Sequence, residues 1–301
     1  VIALGYREDN LATSNDLSRA FRNAVDHNSP IPYYVQVKQT LREYIENSDW
    51  QPGDQLPGEP ELCRLFDVSR TVIRQALNEM QYEGLIVKKK GKGTFVAEPK
   101  IVEHLFQNLT GFYQDMVQRG FTPITKVLKQ ELVPASPKVA GYLGLEPEVS
   151  VIQIYRLRSV EDVPIILDNT YLPYALCPKV LHTDLSSQSL YAFLEQEYGF
   201  VIAHGRRTLE AVAANEYEAS LLEVDVGSPL ILLDSVSYLD NGTPIEYFHG
   251  LHRGDRSKFE VELIRVRHTD DVKEILGKDN VQLPQGSVVV DVNDTHTLGV
   301  K

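Results

Sequence analysis

The stretch from Glu61 to Val96, ELCRLFDVSRTVIRQALNEMQYEGLIVKKKGKGTFV, constrains the fold of this chain more than any other. Leu62, Leu65 and Phe66 recur at helical spacing, which predicts a short helix with one apolar face. Asp67-Val68 makes a turn. Ser69 suits the N-cap of a second helix, because its hydroxyl can accept an otherwise unpaired backbone N–H of the first turn. In that helix Ile73, Ala76, Leu77 and Met80 form the inward stripe, which leaves Arg70, Thr71, Arg74, Gln75 and Asn78 outside. Gly84 ends it. Leu85-Ile86-Val87 and Thr94-Phe95-Val96 are β-prone, and Lys88-Lys89-Lys90-Gly91-Lys92-Gly93 is the loop between them.

Helix, turn, helix and hairpin in this order predict a winged helix-turn-helix, in which a helix N-terminus enters the major groove and meets base edges. Arginine can bond guanine through two donors, and Thr, Gln and Asn can read bases or fix phosphates. The glycines of the hairpin let the backbone approach a sugar-phosphate chain. An amphipathic helix with two arginines is by itself an ordinary solvated helix, and a lysine-glycine hairpin an ordinary soluble turn. Their succession points to double-stranded DNA. Charge agrees: Glu61–Val96 holds seven basic and four acidic residues, a net +3, inside a chain of formal charge −12. A basic island in an acidic protein is the footprint of a polyanion partner.

The wider stretch beginning PIPYY at Pro30 resembles the N-terminal domain of the GntR superfamily of bacterial repressors. The motifs that carry the likeness are PIPYY, W-x-P-G-D-x-L-P from Trp50, S-R-T-V-x-R-x-A-L from Ser69, and K-G-x-G-T-F-V from Lys90. The resemblance implies DNA contacts at Ser69, Arg70, Thr71, Arg74, Lys90 and Gly91. One departure stands out: after L-P the family usually has S/A-E-R, whereas this chain has Gly58-Glu59-Pro60, and proline cannot supply the arginine's contact.

A chain of 301 residues is long enough for two domains, each with its own core. Hydrophobic content of 43% with 24% charged residues is ordinary for a soluble globular protein. Apolar runs of membrane-spanning length and a charged-then-apolar leader are both missing, so no membrane partner is expected. Cys63 and Cys177 are too few for a disulfide framework and are expected to be reduced thiols of a cytoplasmic protein. His249 and His252 form H-x-x-H on an expected strand, a spacing that seldom makes a metal site, and neither metal nor cofactor is expected. The organisation expected is an N-terminal extension over 1–28, the winged helix over 29–98, a linker over 99–104, a second domain over 105–266 and a C-terminal extension over 267–301. Leu17, Phe21 and Val25 share one face of an expected helix in the first extension.

The second domain repeats a unit. Its first copy is a helix (137–143), a turn and a hairpin of 149–159 with 164–172. The second is a helix (215–222), a turn and a hairpin of 230–239 with 244–252, and the tips VEDVPI and DNGTPI align Pro164 with Pro244. Between the copies lie a helix (189–198) and a strand (201–211). The expected fold class is therefore α+β: an N-terminal winged helix-turn-helix plus an antiparallel sheet covered on one face by helices.

Arg156 and Arg158 are two apart on an expected strand and so share a face. A three-residue tip loop would set Arg156 opposite Asp168; a two-residue loop would set it opposite Leu167. Paired arginines suit a phosphate or carboxylate, because each guanidinium fork can bond two oxygens.

Residues 105–266 resemble the UTRA effector domain of HutC-type GntR regulators, whose fold is similar to chorismate lyase. The resemblance implies that Arg156 and Arg158 hold a phosphate together with Ser189 and Tyr191. It further implies that Asp168, Glu246 and His252 face the sugar, with Phe112 nearby. Asp168 stands where the amino-sugar-phosphate sensors have glutamate, and His252 where they have tyrosine. The expected protein is a homodimeric repressor on operator DNA, controlled by a small anionic effector, most simply a phosphorylated sugar or amino sugar. The alternatives are a sensor of an unphosphorylated acid such as urocanate, or an enzyme of chorismate-lyase-like fold. No catalytic residue is expected.

Overall fold

The computed structural model describes residues 21, 24–89, 91–103, 112–260, 263–266 and 288–291. Its packing divides the chain into two units, Val1–Lys100 and Ile101–Lys301.

The first unit contains α1 (Tyr33–Glu46), α2 (Glu59–Phe66) and α3 (Arg70–Tyr82), then strands β1 (Ile86–Lys89) and β2 (Gly93–Val96). Asp67 stops α2 in the left-handed conformation, φ 51°. Two residues on, the Ser69 hydroxyl accepts the Val72 backbone N–H at 3.4 Å and starts α3. The expected inward stripes are buried together: Leu62, Leu65 and Phe66 of α2, Ile73, Ala76, Leu77 and Met80 of α3, and Val37 and Leu41 of α1. Lys38 and Arg42 of α1 bind Glu79 and Glu83 of α3, clamping the two helices at the rim of this core. β1 and β2 pair antiparallel from Ile86↔Val96 to Lys89↔Gly93.

Phe21 gives the first extension a structural role that the sequence does not announce. It is fully buried in this core, stacked on Phe66 at 4.8 Å and set edge-on to Tyr44 at 4.7 Å. Leu17 lies outside the described residues.

The second unit is built on six antiparallel strands: β4 (Pro123–Pro134), β5 (Ser150–Val160), β6 (Val163–Pro173), β7 (Ile202–Ala213), β8 (Pro229–Leu239) and β9 (Pro244–Arg253). Their order is β4-β5-β6-β9-β8-β7. The repeat expected from the sequence appears here as strand, helix and hairpin, twice. α5 (Pro137–Leu143) precedes β5–β6, α7 (Glu216–Leu222) precedes β8–β9, and the two hairpins meet at β6–β9. Ser136 caps α5 through the Val139 N–H, and Asn215 with Glu218 closes a capping box on α7.

The sheet is covered on both faces, not one. Alternation along β5 sends Ile152 and Ile154 to the face packed by α6 (Leu190–Tyr198), where they meet Leu190, Leu194 and Val180. It sends Val151 to the other face, against Val139, Ala140 and Leu143 of α5, while α7 covers Leu167 and Leu230 on that same side. Each repeat brings a helix of its own, and the inserted α6 closes the opposite side.

A second departure concerns the connector. From Ile101 the expected linker is a strand, β3 (Ile101–Glu103), which pairs in parallel with β10 (Ser257–Phe259). β11 (Leu263–Val266) likewise pairs in parallel with β12 (Val288–Asp291). Between β9 and β10, buried Arg253 donates to the carbonyls of Pro164 and Leu222, both at 3.1 Å, and to Asp255. It ties one hairpin tip and the end of α7 to the sheet margin. No described helix is long and apolar enough to cross a membrane.

Candidate DNA-reading surface and effector pocket

In the first unit Ser69, Arg70, Thr71, Arg74, Gln75 and Asn78 are all exposed along α3. Arg74 Nε donates to Glu59 Oε2 at 2.9 Å. The two terminal nitrogens of that guanidinium make no hydrogen bond among the described residues. Glu59 and Pro60 lie in the first turn of α2, so Pro60 takes a helix-start position that suits proline. The wing leans on the helix: Lys88 Nζ donates to Asn78 Oδ1 at 2.5 Å. Gln55 Nε2 donates to the Lys92 carbonyl at 3.0 Å, and Gly93, at φ 119°, leaves room for it, since a Cβ there would lie 2.6 Å from that nitrogen. Gly91 is exposed; Lys90 lies outside the described residues.

In the second unit a cleft over the β5–β6–β9–β8 face is lined by Phe112 of α4 (Phe112–Gln118), Arg156, Arg158, Ser189, Tyr191, Glu246 and His252. Arg207, Ser235 and Phe248 join them. The space between these walls, counting its mouth, is about 600 Å³.

At one end Arg156 lies opposite Asp168, and the turn explains how. The tip has two residues, Glu161 and Asp162, both at positive φ (50° and 66°) as a tight hairpin turn requires. The extra residue comes from a bulge where Arg158 pairs with Ile166 and Ser159 with Pro164, leaving Ile165 unpaired. The short loop therefore coexists with the pairing expected of the long one.

Arg156 donates from Nε (3.0 Å) and Nη2 (2.8 Å) to Asp168 Oδ1, and from Nη2 to Thr170 Oγ1 at 2.7 Å. Arg158 Nε bonds the other carboxylate oxygen. Asp168 is fully buried, which alone would raise its pKa, but the two guanidinium charges hold it below the usual carboxylate range. Gly250 pairs with Asp168 across β6–β9, and a Cβ at Gly250 would lie 2.4 Å from the Phe248 ring, so glycine is what lets that ring fold over the strand. The Arg158 guanidinium lies 5.3 Å from the Phe112 ring centre.

At the other end the Glu246 carboxylate accepts from Tyr191 and, at 2.9 Å, from Ser237. Burial, followed by the Glu246 charge, pushes the Tyr191 phenol up, so it remains a donor. Tyr191 thus bonds Glu246 while lining the same cleft as Arg156 and Arg158. The Ser189 hydroxyl accepts the Ala192 N–H as the cap of α6. His252 is fully buried, 5.2 Å from the Phe259 ring. His249 lies on the opposite face, bonded to Asp234 at 2.6 Å, as alternation along β9 requires for residues three apart.

The polar pocket residues Arg207 and Ser235, and the Phe248 ring beside them, escape the sequence reading. Nothing local marks Arg207. It sits on an edge strand whose residues are mostly exposed on both sides, so no hydrophobic alternation shows which way it points.

An exposed arginine-bearing helix with a wing, followed by a separate domain enclosing a basic pocket, defines a DNA-binding regulator that answers to a small molecule. Residues 33–96 match the family profile described as bacterial regulatory proteins, gntR family, and residues 118–258 match that of the UTRA domain. The chain is 35% identical over 235 residues to the HTH-type transcriptional repressor NagR of Bacillus subtilis, covering 78% of this chain and 96% of the relative. It is 29% identical to the histidine utilization repressor of Pseudomonas putida, covering 77% and 92%. The crystal structure of PhnF from Mycobacterium smegmatis is similar over 77% of this chain and 99% of that one, with 29% identity and a TM-score of 0.54. The chain belongs to the GntR family, with a UTRA domain, and is a transcriptional regulator of the repressor type that binds operator DNA and a small-molecule effector. The enzyme alternative falls with this membership, because the family and the relatives are DNA-binding regulators.

Proposed function

We propose that the cleft of the second unit binds a small anionic metabolite, a phosphorylated sugar or amino sugar, and that its occupancy sets the operator affinity of a homodimer. The supporting observation is Arg158. Among the described residues its terminal nitrogens make no hydrogen bond, while Nε is fixed on Asp168, so a guanidinium edge is held ready at the cleft beside Arg156. Phe112 offers an apolar wall, and Glu246, Ser189, Tyr191 and His252 supply further polar groups for hydroxyls and the phosphate. Asp168, expected to face the ligand, stands behind Arg156 and Arg158 and holds them in place. Arg70 and Arg74 read base edges, and Ser69, Thr71, Lys90 and Gly91 hold the DNA backbone. In this reading residues 29–98 are the reader, 99–104 the connection, and 105–266 the effector and dimerisation domain of a cytoplasmic protein. Two copies present two α3 helices to a pseudo-palindromic operator. Coupling between the two sites of ~1–3 kcal/mol would change operator affinity roughly 5–150-fold.

A second reading has a specific support. Asp168 neutralises one of its two arginines, leaving that cluster with a single net positive charge, which suits one carboxylate as well as a phosphate. An unphosphorylated organic acid such as urocanate fits that balance.

Thermal denaturation of the full chain with glucosamine 6-phosphate, N-acetylglucosamine 6-phosphate and urocanate separates the two, because a ligand of the native state raises Tm. The sugar phosphates are expected to raise it in the wild type and not in Arg158→Ala, with ligand-free operator binding preserved in that variant. Equal shifts in both proteins would place the ligand elsewhere.

A further inference from the structure

The pocket has three arginines, and one of them has no carboxylate. Arg207 on β7 stands opposite Ser235 of β8 and lines the cleft. Among the described residues its one hydrogen bond is Nε to Ser235 Oγ, at 3.3 Å, and no carboxylate lies within ion-pair distance of it. Glu246, on β9 with β8 between it and β7, bears on Arg207 through its charge but makes no ion pair with it, its Oε2 accepting from Tyr191 and Ser237. Arg156 and Arg158 share Asp168. Burial draws the Arg207 guanidinium below its ordinary pKa, an unfavourable condition that a neighbouring anion would relieve. Four unused N–H donors in a planar fork, partly removed from water, make an anion receptor.

Position in the sheet decides what kind of anion. Four strand intervals separate β5 from β7 in the order β5-β6-β9-β8-β7. At a strand spacing of ~4.8 Å their backbones are roughly 19 Å apart. Both side chains lean inward, Arg156 onto Asp168 and Thr170 of β6 and Arg207 onto Ser235 of β8, and so close part of that gap. The two arginine positions thus lie on strands at opposite sides of the cleft, so a ligand with an acid at each end can engage both.

We infer that Arg207 is a specificity-determining residue that receives a second acidic group of the effector, so that the pocket selects metabolites carrying a phosphate at one end and a carboxylate at the other. Glu246, Tyr191 and Ser237 then lie between the two ends, where the hydroxyls of a sugar acid would meet them. This inference rests on the reading of the cleft as a site for a phosphorylated metabolite.

The test compares two probes on the full chain by calorimetric titration: glucose 6-phosphate, acidic at one end, and 6-phosphogluconate, acidic at both. In the wild type 6-phosphogluconate is expected to bind more tightly by on the order of tenfold to a hundredfold, the usual effect of a hydrogen bond to a charged group. Arg207→Gln should bring the ratio near one while leaving glucose 6-phosphate affinity unchanged, and Arg207→Lys should restore part of the preference. The ligand-free Tm of Arg207→Gln, equal to or above that of the wild type, shows that the fold is intact. Two results overturn the assignment of Arg207 while sparing the phosphate site: an unchanged ratio in Arg207→Gln, or no preference in the wild type with glucose 6-phosphate binding still abolished by Arg158→Ala. Failure of both probes to bind the wild type overturns the phosphorylated-effector reading and this inference with it.

Discussion

Each unit contains an arginine–carboxylate contact, and the two have little in common beyond their atoms. Arg74 meets Glu59 through one nitrogen, with the side chains 62% and 29% exposed. Asp168 is gripped by Arg156 and Arg158, with exposures of 0%, 3% and 10%. Water competes for the first pair at every moment, so it orients a side chain without committing it. The second is largely withdrawn from water, and each charge there depends on the others. A side chain proposed to trade its own carboxylate for a DNA phosphate or base is suited by the loose kind of contact. A pocket that must keep its shape while empty needs the tight kind.

The largest effect expected from this contrast is that of Asp168→Ala. It strands two buried guanidinium groups and should lower stability by about 3–5 kcal/mol, read by chemical denaturation. Because the folded pKa of Asp168 lies below the unfolded one, its stabilisation is complete above roughly pH 4 and disappears as pH falls through the folded value. Stability curves of the wild type and Asp168→Asn should therefore converge in acid. A gap that stayed constant across that range would break the pairing argument.

Phe21→Ala should be nearly as severe, about 3–5 kcal/mol for a fully buried ring, and should weaken the first unit. Unchanged unfolding of that unit would show that residues ahead of the winged helix contribute nothing to its core. Arg70→Ala is expected to cost roughly 1–3 kcal/mol of operator binding if it reads a base, with no loss of fold. Wild-type affinity in an anisotropy titration would remove it from the recognition surface. Glu59→Gln should be mildest, within about 0–1 kcal/mol of wild-type stability. If it proved as costly as Asp168→Ala, the contrast between the two contacts would be mistaken.

The same contrast explains what could be read from the sequence. Along α3 a polar face alternates with Ile73, Ala76, Leu77 and Met80, and periodicity fixes which arginines are outside. Ser69 announces where the helix begins because its hydroxyl has a local partner. Both hairpins and the duplicated helix–hairpin unit were legible for the same reason: their signals lie within a few residues of their effects. The pairing of Arg156 with Asp168 was not, because a bulge at Ile165 decides it and nothing in the local pattern marks that residue as unpaired. The second covered face of the sheet was also hidden, since α5 and α7 look in sequence like helices that could pack on either side. β3 was hidden in another way: three residues show no alternation to recognise, and its partner β10 lies far along the chain.

That small parallel pairing has a mechanical meaning. β9 carries Glu246 and His252 along the pocket floor, turns at Arg253, and continues into β10. There the Arg256 carbonyl receives the Ile101 N–H at 2.7 Å, and the rest of β3 follows in register. Phe259 on β10 presses edge-on against the His252 ring. The segment that enters the second unit at Ile101 is thus fastened by backbone hydrogen bonds to the continuation of the strand that lines the cleft, one ring contact away from His252.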